Sequence, residues 1–235
     1  MLLRTPCSGD WHSVVLDTLR IRLGVKAPNA QRNREHFDDM RGLTLYLLLG
    51  DVPAPLRQQI ISTNASEAWY AIDGICNHET DFNIEEHSTD TGGSSEHVFG
   101  MCHLLGFRFA PQIAAPLDRH LWTIGRPADY GPLNTLLKGR VSTRLIVDHW
   151  EELKRLAGSI RHGVTPSSVL MRKLASYPRQ NQLAQALAEV GKVEQTLHLL
   201  DCYRDEAVRR RMSGAWIAMR ARTRWGGRCS LAGAA

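Results

Sequence analysis

The sequence predicts a mixed α/β first half followed by an almost entirely helical second half. Three observations carry this. Before Pro116 the chain alternates short aliphatic, β-branched runs with clusters of Gly, Pro and Asn, the punctuation of strands and turns. From Thr143 to Met212 apolar residues recur at helical spacing. No run of about 18 apolar residues occurs anywhere in the 235, so a membrane span is not expected.

Taken in order, SVVLDTLRIRLGVK (13–26) alternates only partly and predicts strands joined near Asp17. Pro28 and NAQRNRE mark a loop. GLTLYLLLGDV, Gly42 to Val52, predicts a buried strand ended by PAP, because proline cannot continue a ladder. ASEAWYAIDGICNHE, Ala65 to Glu79, predicts a helix with Trp69, Ile72 and Ile75/Cys76 on one face and Ser66 as its cap. DFNIEEHSTD predicts a short strand reaching Asp90. A helix then begins near Thr91 to Ser95, with Val98, Met101, Cys102 and Leu105 as its apolar stripe and Gly106 as its stop. FRFA predicts another short strand. Beyond it, STRLIVDHWEELKRLAGSIRHG, TPSSVLMRKLASY and NQLAQALAEVGKVEQTLHLLDCYRDEAVRRR predict helices, with TPSS as a start and YPRQN as a break.

Composition narrows the function classes. Five scattered cysteines without a CxxC argue against a disulfide framework or zinc ribbon and favour a reducing cytoplasm. MLLRTPCSGDWHS has neither a long apolar core nor a clean cleavage site, so a secretory signal is not expected. The net charge of +5 is local: residues 207–235 hold seven arginines and no acid, and the remainder is slightly acidic. Overall charge is therefore a weak argument for nucleic-acid binding.

The stretch HSTDTGGSSEHVF sets a carboxylate, Asp90, beside small residues between two core-forming segments. Magnesium takes oxygen ligands and keeps waters for substrate phosphates. Two carboxylates on neighbouring strands can hold two ions about 4 Å apart and clamp both oxygens of a phosphodiester exchange. A carboxylate in a softened turn equally suits a cap or loop residue.

Several words favour the first alternative. EEHSTDTGGSSEHVFGMCHLLGFRFAP, Glu85 to Pro111, and LMRKLASYPRQNQLAQALAEVGKVEQTL, Leu170 to Leu197, closely resemble the transposases of Tn3-family replicative transposons. IDGICNHETDFNIEEH fits the same family, and the likeness runs without a large gap from about Ala54 to Ser213. The resemblance implies a partial RNase H-like core over residues 1–125, a helical region over 126–213 and an aberrant basic tail over 214–235. It implies a DDE triad of two aspartates and a glutamate with two magnesium ions. These nick transposon ends and activate the freed 3′-hydroxyl to attack target DNA. DNA and full-length transposase are the implied partners, and the implied location is bacterial-type, cytoplasmic and nucleoid-associated. The family's longer members carry N-terminal regions that recognise inverted repeats, which are not expected here.

Asp90 falls in the family's STDT word, the second acid. For the first, the family shows a word like SSDGQ some 70 residues upstream; Asp17 in VLDTLRIRLG lies 73 positions before Asp90, and Asp10 in CSGDW lies 80 before it. Asp17 is the better fit. For the third, a word like LNKGEARN is expected after RRRMSG, but the chain reads AWIAMRAR, with Met219 where the glutamate belongs. A thioether is a poor magnesium ligand. Asp201, Asp205 and Glu206 are the remaining carboxylates in reach along the chain, and a frame-shifted, inactive copy is the expected origin of the tail.

Four basic residues are candidate DNA contacts: Arg108 between two aromatics, Arg172 and Lys173 in MRKLASY, and Arg179 after the break. His87 and His97 flank Asp90 and are candidates for orienting water or DNA, or for ordinary hydrogen-bonded histidines near a strand end. HVFGMCH matches no zinc spacing, and Cys102 with His103 makes no hydrolytic pair because neighbouring helix residues point about 100° apart.

Overall fold

The structure, a computed structural model, describes residues 12–24, 30–50, 55–64, 67–77, 84–90, 94–125, 128–176 and 181–214. In the first half these form β1 (His12–Leu23), β2 (Gln31–Arg32), the helical turn α1 (Arg34–Phe37), β3 (Arg41–Leu49), β4 (Pro55–Ile61), α2 (Glu67–Cys76), β5 (Ile84–Ser88), α3 (Glu96–Leu105) and β6 (Arg108–Phe109). The second half contains a pair of short strands, β7 (Leu121–Thr123) and β8 (Leu137–Arg140). After them come α4 (Thr143–Asp148), α5 (Trp150–Arg161), α6 (Ser167–Ala175) and α7 (Gln182–Arg204). Residues 206–214 are helical and are called α8. No helix among the described residues is long and apolar enough to cross a membrane.

β1 is the centre of the sheet. It pairs antiparallel with β3, from Val15 opposite Leu49 to Leu23 opposite Arg41, and parallel with β5. The far edge of β3 is shared by β2 and β4, and β6 adds parallel to β5. The strand order β4–β3–β1–β5–β6 therefore has three antiparallel strands and then two parallel to the first, the mixed sheet of an RNase H-like fold. Parallel neighbours cannot be joined by tight turns, and α2 and α3 fill the connections before β5 and β6.

The sequence reading of two strands joined near Asp17 is corrected: β1 is a single strand with Asp17 in its interior, opposite Leu47. The polar Asp17–Thr18 pair breaks the apolar pattern but not the ladder, which β3 supplies along the whole length. The segment after PAP was not expected as a strand. Pro55 opens β4 at the sheet edge, a place where a missing N–H is tolerated. The loop expected at NAQRNRE contains β2 and α1, with Asn33 accepting the Glu35 N–H as a cap.

One face of the sheet is fully covered. Val14 and Leu16 of β1, Tyr46 and Leu48 of β3 and Ile84 of β5 pack against Ala71 and Ile75 of α2. Beyond them a larger core joins Val98, Phe99, Met101, Cys102 and Leu105 of α3 to Leu153 and Ile160 of α5, Met171 of α6 and Leu187 of α7. Thus the second-half helices share a core with α3. α3 and α7 approach backbone to backbone: a Cβ on Gly191 would stand 1.6 Å from the Glu96 carbonyl oxygen, and one on Gly100 2.4 Å from that of Leu187. α6 starts at Pro166 without a cap of its own. The buried Asp73 of α2 supplies one by accepting the Ser168 N–H at 3.2 Å.

Candidate active site

Asp17 and Asp90 fall at corresponding places along neighbouring strands. Parallel pairing sets Val14 opposite His87 and Val15 opposite Ser88. Two residues further along each strand stand Asp17 and Asp90. β5 ends at Ser88, yet the extended path continues, because Thr89 accepts the Gln112 N–H at 2.8 Å much as His87 accepts that of Ala110. Side chains alternate along a strand. Val14 and Leu16 enter the core under α2, so Val15 and Asp17 belong to the opposite face, where Val15 meets Leu49. A bulge in β5 between Ile84, which enters the core, and Glu86 switches the faces; beyond it His87 and Thr89 are buried on the core side, so Glu86, Ser88 and, just past the strand's end, Asp90 alternate onto the face of Asp17. Both aspartates are half-buried. Asp17 accepts the Thr18 N–H at 2.8 Å.

α8 lies over the same face. Glu86, buried, faces Arg108 Nε at 3.4 Å and Arg211 at 3.6 Å, and Met212 packs with Ala110 and Cys202. Arg108 is exposed on this face while Phe109 is buried on the other, as strand alternation requires.

A further carboxylate sits where the two faces meet at the end of the strands. Glu67, in the first turn of α2, accepts the Thr18 hydroxyl at 2.9 Å through Oε2 and pairs with Arg20 through Oε1. Burial pushes its carboxyl up; the Arg20 guanidinium and the Thr18 hydroxyl oppose the rise, and the negative charge of Asp90 adds to it. Glu67 and Asp90 are therefore within electrostatic reach of each other.

His87 does not stand beside the carboxylates. It is fully buried on the core face, its ring stacked on Phe109 at 5.6 Å. Neither ring nitrogen has a hydrogen-bond partner of normal geometry, and burial holds its pKa at about 3, with the Val14 backbone opposing the shift. Such a neutral, enclosed ring cannot orient water or DNA. His97, half-buried in the first turn of α3, is shifted downward by burial and lies against the Ala184 backbone of α7. Asp90 stands three positions after His87, which on a strand means opposite faces; that alternation was available in the sequence.

Arg172 and Lys173 lie exposed in the last turn of α6. Asp10, Ser66, Thr91, Arg179 and Met219 lie outside the described residues. Asp201 pairs with Arg204, Asp205 accepts the Ala207 N–H, and Glu206 pairs with Arg210, all toward the surface. No group of three His, Cys, Asp or Glu side chains placed to hold a metal occurs among the described residues. The donor set at Asp17 and Asp90 is all carboxylate oxygen, the kind that magnesium accepts. Glu67 and Glu86 were missed by sequence reasoning. The alternation in EEHSTD places Glu86 with Asp90, but Glu67 meets its partner Thr18 across 49 residues and carries no local signal.

Comparison with known proteins identifies the family. The profile of the Tn3 transposase DDE domain matches residues 7–216. The transposase of transposon Tn1546 from Enterococcus faecium is 42% identical over 204 residues, 87% of this chain and 20% of that protein. That of Tn3926 from Escherichia coli is 38% identical over 213 residues, 89% of this chain and 22% of that protein. That of Tn4556 from Streptomyces fradiae is 30% identical over 197 residues, 84% of this chain and 22% of that protein. The chain thus spans about a fifth of the length of these relatives. No solved structure matches it. With two-thirds of its length carrying the family's words and its profile covering the sheet, α3 and the helices behind them, the chain belongs to the Tn3 transposase DDE domain family.

Proposed function

We propose that this chain is the catalytic region of a replicative DNA transposase, with Asp17 and Asp90 as the acids that hold magnesium. The observation that supports it best is the shared register of the two carboxylates on one face of neighbouring parallel strands. Carboxylates carried by neighbouring strands are positioned before an ion arrives, and phosphoryl transfer depends on such positioning more than on covalent help from the protein. When bound, the metal activates the attacking oxygen and neutralises charge on the phosphodiester. The residues that follow Asp90 in the sequence, Thr91, Gly92 and Gly93, are small. DNA is the partner, with Arg108, Arg172, Lys173 and Arg179 as phosphate contacts, and a full-length transposase is the second.

A specific observation favours a second reading of what this copy does. α8 lies over the face of the acid pair, and no Asp or Glu follows Glu206. A third carboxylate carried in on the next residues is absent from the sequence. We infer that the chain keeps a metal-binding pair and at most DNA or partner binding, without strand cleavage.

Manganese titration tests the first reading and plasmid nicking the second. Bound Mn2+, measured by loss of the free-ion paramagnetic resonance signal, is expected to fall sharply in Asp17→Asn and in Asp90→Asn. Unchanged binding in both variants removes the acid pair as a metal site. With magnesium, nicking by the wild-type chain is expected to equal that by Asp90→Asn; cleavage that needs Asp17 and Asp90 overturns the inactive reading.

A further inference from the structure

Where β6 and α8 meet, two arginines share one enclosed carboxylate. The parallel register of β5 with β6 sets Glu86 opposite Arg108, and Arg211 reaches the same group from α8. Both face a single oxygen, Oε2, Arg108 through Nε at 3.4 Å and Arg211 through Nη2 at 3.6 Å. Glu86 is only 8% exposed, whereas both arginine side chains are about half exposed. Arg209 donates to the Cys202 carbonyl close by, and its charge and that of Arg108 both oppose the rise that burial and Asp201 give the Cys202 thiol. Asp201 itself is paired with Arg204.

The charges here do not cancel. One carboxylate faces two guanidiniums, and neither can shed its proton. The two contacts are ion pairs without a hydrogen bond of normal geometry, so the donors of both forks are left for another acceptor. Among the described residues no other carboxylate pairs with either arginine. Arg210, between Arg209 and Arg211 in the chain, differs: it is exposed and bonded to Glu206 one turn back on α8. An ion pair that only anchored α8 to the sheet would need Arg211 alone, and Arg108 brings a second positive charge that anchoring does not use.

We propose that Arg108 and Arg211, held side by side by Glu86, form a clamp for one phosphate group of the DNA backbone. Guanidinium forks match phosphate oxygens in pairs, and two forks on one carboxylate oxygen stand close enough together to share a phosphate. Such a contact positions a strand without reading its sequence. The proposal rests on the reading that DNA is the partner, and it adds Arg211 and the orienting Glu86 to that reading.

The experiment measures binding of the whole chain to a fluorescently labelled duplex of mixed sequence, by anisotropy across a salt series, with melting curves as a fold control. Replacing both residues, Arg108→Gln with Arg211→Gln, is expected to flatten the slope of log K against log salt by about 0.9, the share of one phosphate. Each substitution alone is expected to lower affinity at fixed salt by about tenfold, the loss of a hydrogen bond to a charged group. Arg210→Gln removes the same charge from the same helix and is expected to leave slope and affinity nearly unchanged. If Arg211→Gln fails to fold, Arg211→Lys replaces it: the slope is expected to stay while affinity falls, because lysine keeps the charge and lacks the fork. A double variant with the wild-type slope overturns the clamp, as does an Arg210→Gln chain weakened as much as Arg211→Gln or an Arg211→Lys chain that binds as tightly as the wild type. If the wild-type chain shows no salt-dependent affinity for the duplex, DNA is not the partner and both readings fall. If it binds with a slope that the double variant keeps, only the clamp falls.

Discussion

His87 gives the sharpest prediction about stability. Its pKa in the folded protein is about 3, against 6.5 for a solvated histidine, because the ring is enclosed and stacked on Phe109. Between those values the unfolded chain binds a proton at His87 and the folded chain does not. Stability is therefore complete above about pH 6.5 and declines as pH falls toward 3. Each pH unit in that window costs about 1.4 kcal/mol, so the loss at pH 4.5 relative to neutrality is roughly 2–3 kcal/mol from this residue alone. The perturbation is His87→Phe, which keeps an aromatic ring against Phe109 and removes the proton. Urea unfolding at pH 7, 5.5 and 4.5 yields stability against pH for both proteins. The variant's curve is expected to be flatter below pH 6.5 by about one proton's slope, whatever its absolute stability. His97 and His198 are shifted downward by burial too, but both proteins contain them, so the difference in slope isolates His87. His103 and His149 are raised by hydrogen bonds to Glu194 and Glu152, and their stabilisation fades only as pH rises above 6.5. Parallel curves would show that the ring is not held neutral, and the burial argument would fail.

Two further outcomes follow from packing. Gly191→Ala places a methyl 1.6 Å from the Glu96 carbonyl oxygen, backbone that cannot rotate aside, so α3 and α7 must separate. Thermal unfolding is expected to show a loss of about 1–3 kcal/mol or more, and an unchanged melting temperature would mean that the two helices are not in backbone contact. Glu86→Gln removes the charge that Arg108 and Arg211 share. Since both arginines are about half exposed, the expected cost is only about 1 kcal/mol, read as faster amide hydrogen exchange over 206–214 with β1 and β5 unaltered.

How much was legible depended on whether local pattern and tertiary environment agreed. In α3 they agreed fully: the stripe Val98, Met101, Cys102 and Leu105 is buried, Ser95 caps the Val98 N–H, and Gly106 ends the helix at φ 84°. β3 was equally plain, since strict alternation buries Gly42, Thr44, Tyr46 and Leu48. β1 was misread because its polar pair, Asp17 and Thr18, interrupts the apolar pattern in mid-strand, while the ladder to β3 that carries the strand through comes from residues about 30 positions on. β4 was hidden behind a proline that an edge strand tolerates. Asp17 and Asp90 were singled out from words, and it is the register of β1 with β5 that relates their strands. Glu67 was out of reach, because its partners come from a strand far earlier in the chain.

The basic tail invites one last test. The core clusters of the described residues are built without any residue after Met212. Residues 215–235 contain four arginines and no acid. A chain ending at Gly214 is expected to lose affinity for nonspecific duplex DNA, with its melting curve as the fold control. Each phosphate contact contributes a slope of about −0.9 to log K against log salt. If all four arginines reach phosphates, truncation flattens that slope by up to about 3.6, without regard to magnesium. If the slope is unchanged, the contacts lie instead on the folded body, and Arg108, Arg172 and Lys173 become the residues to replace. Either way the salt slope distinguishes the charge of residues 215–235 from that of the described residues.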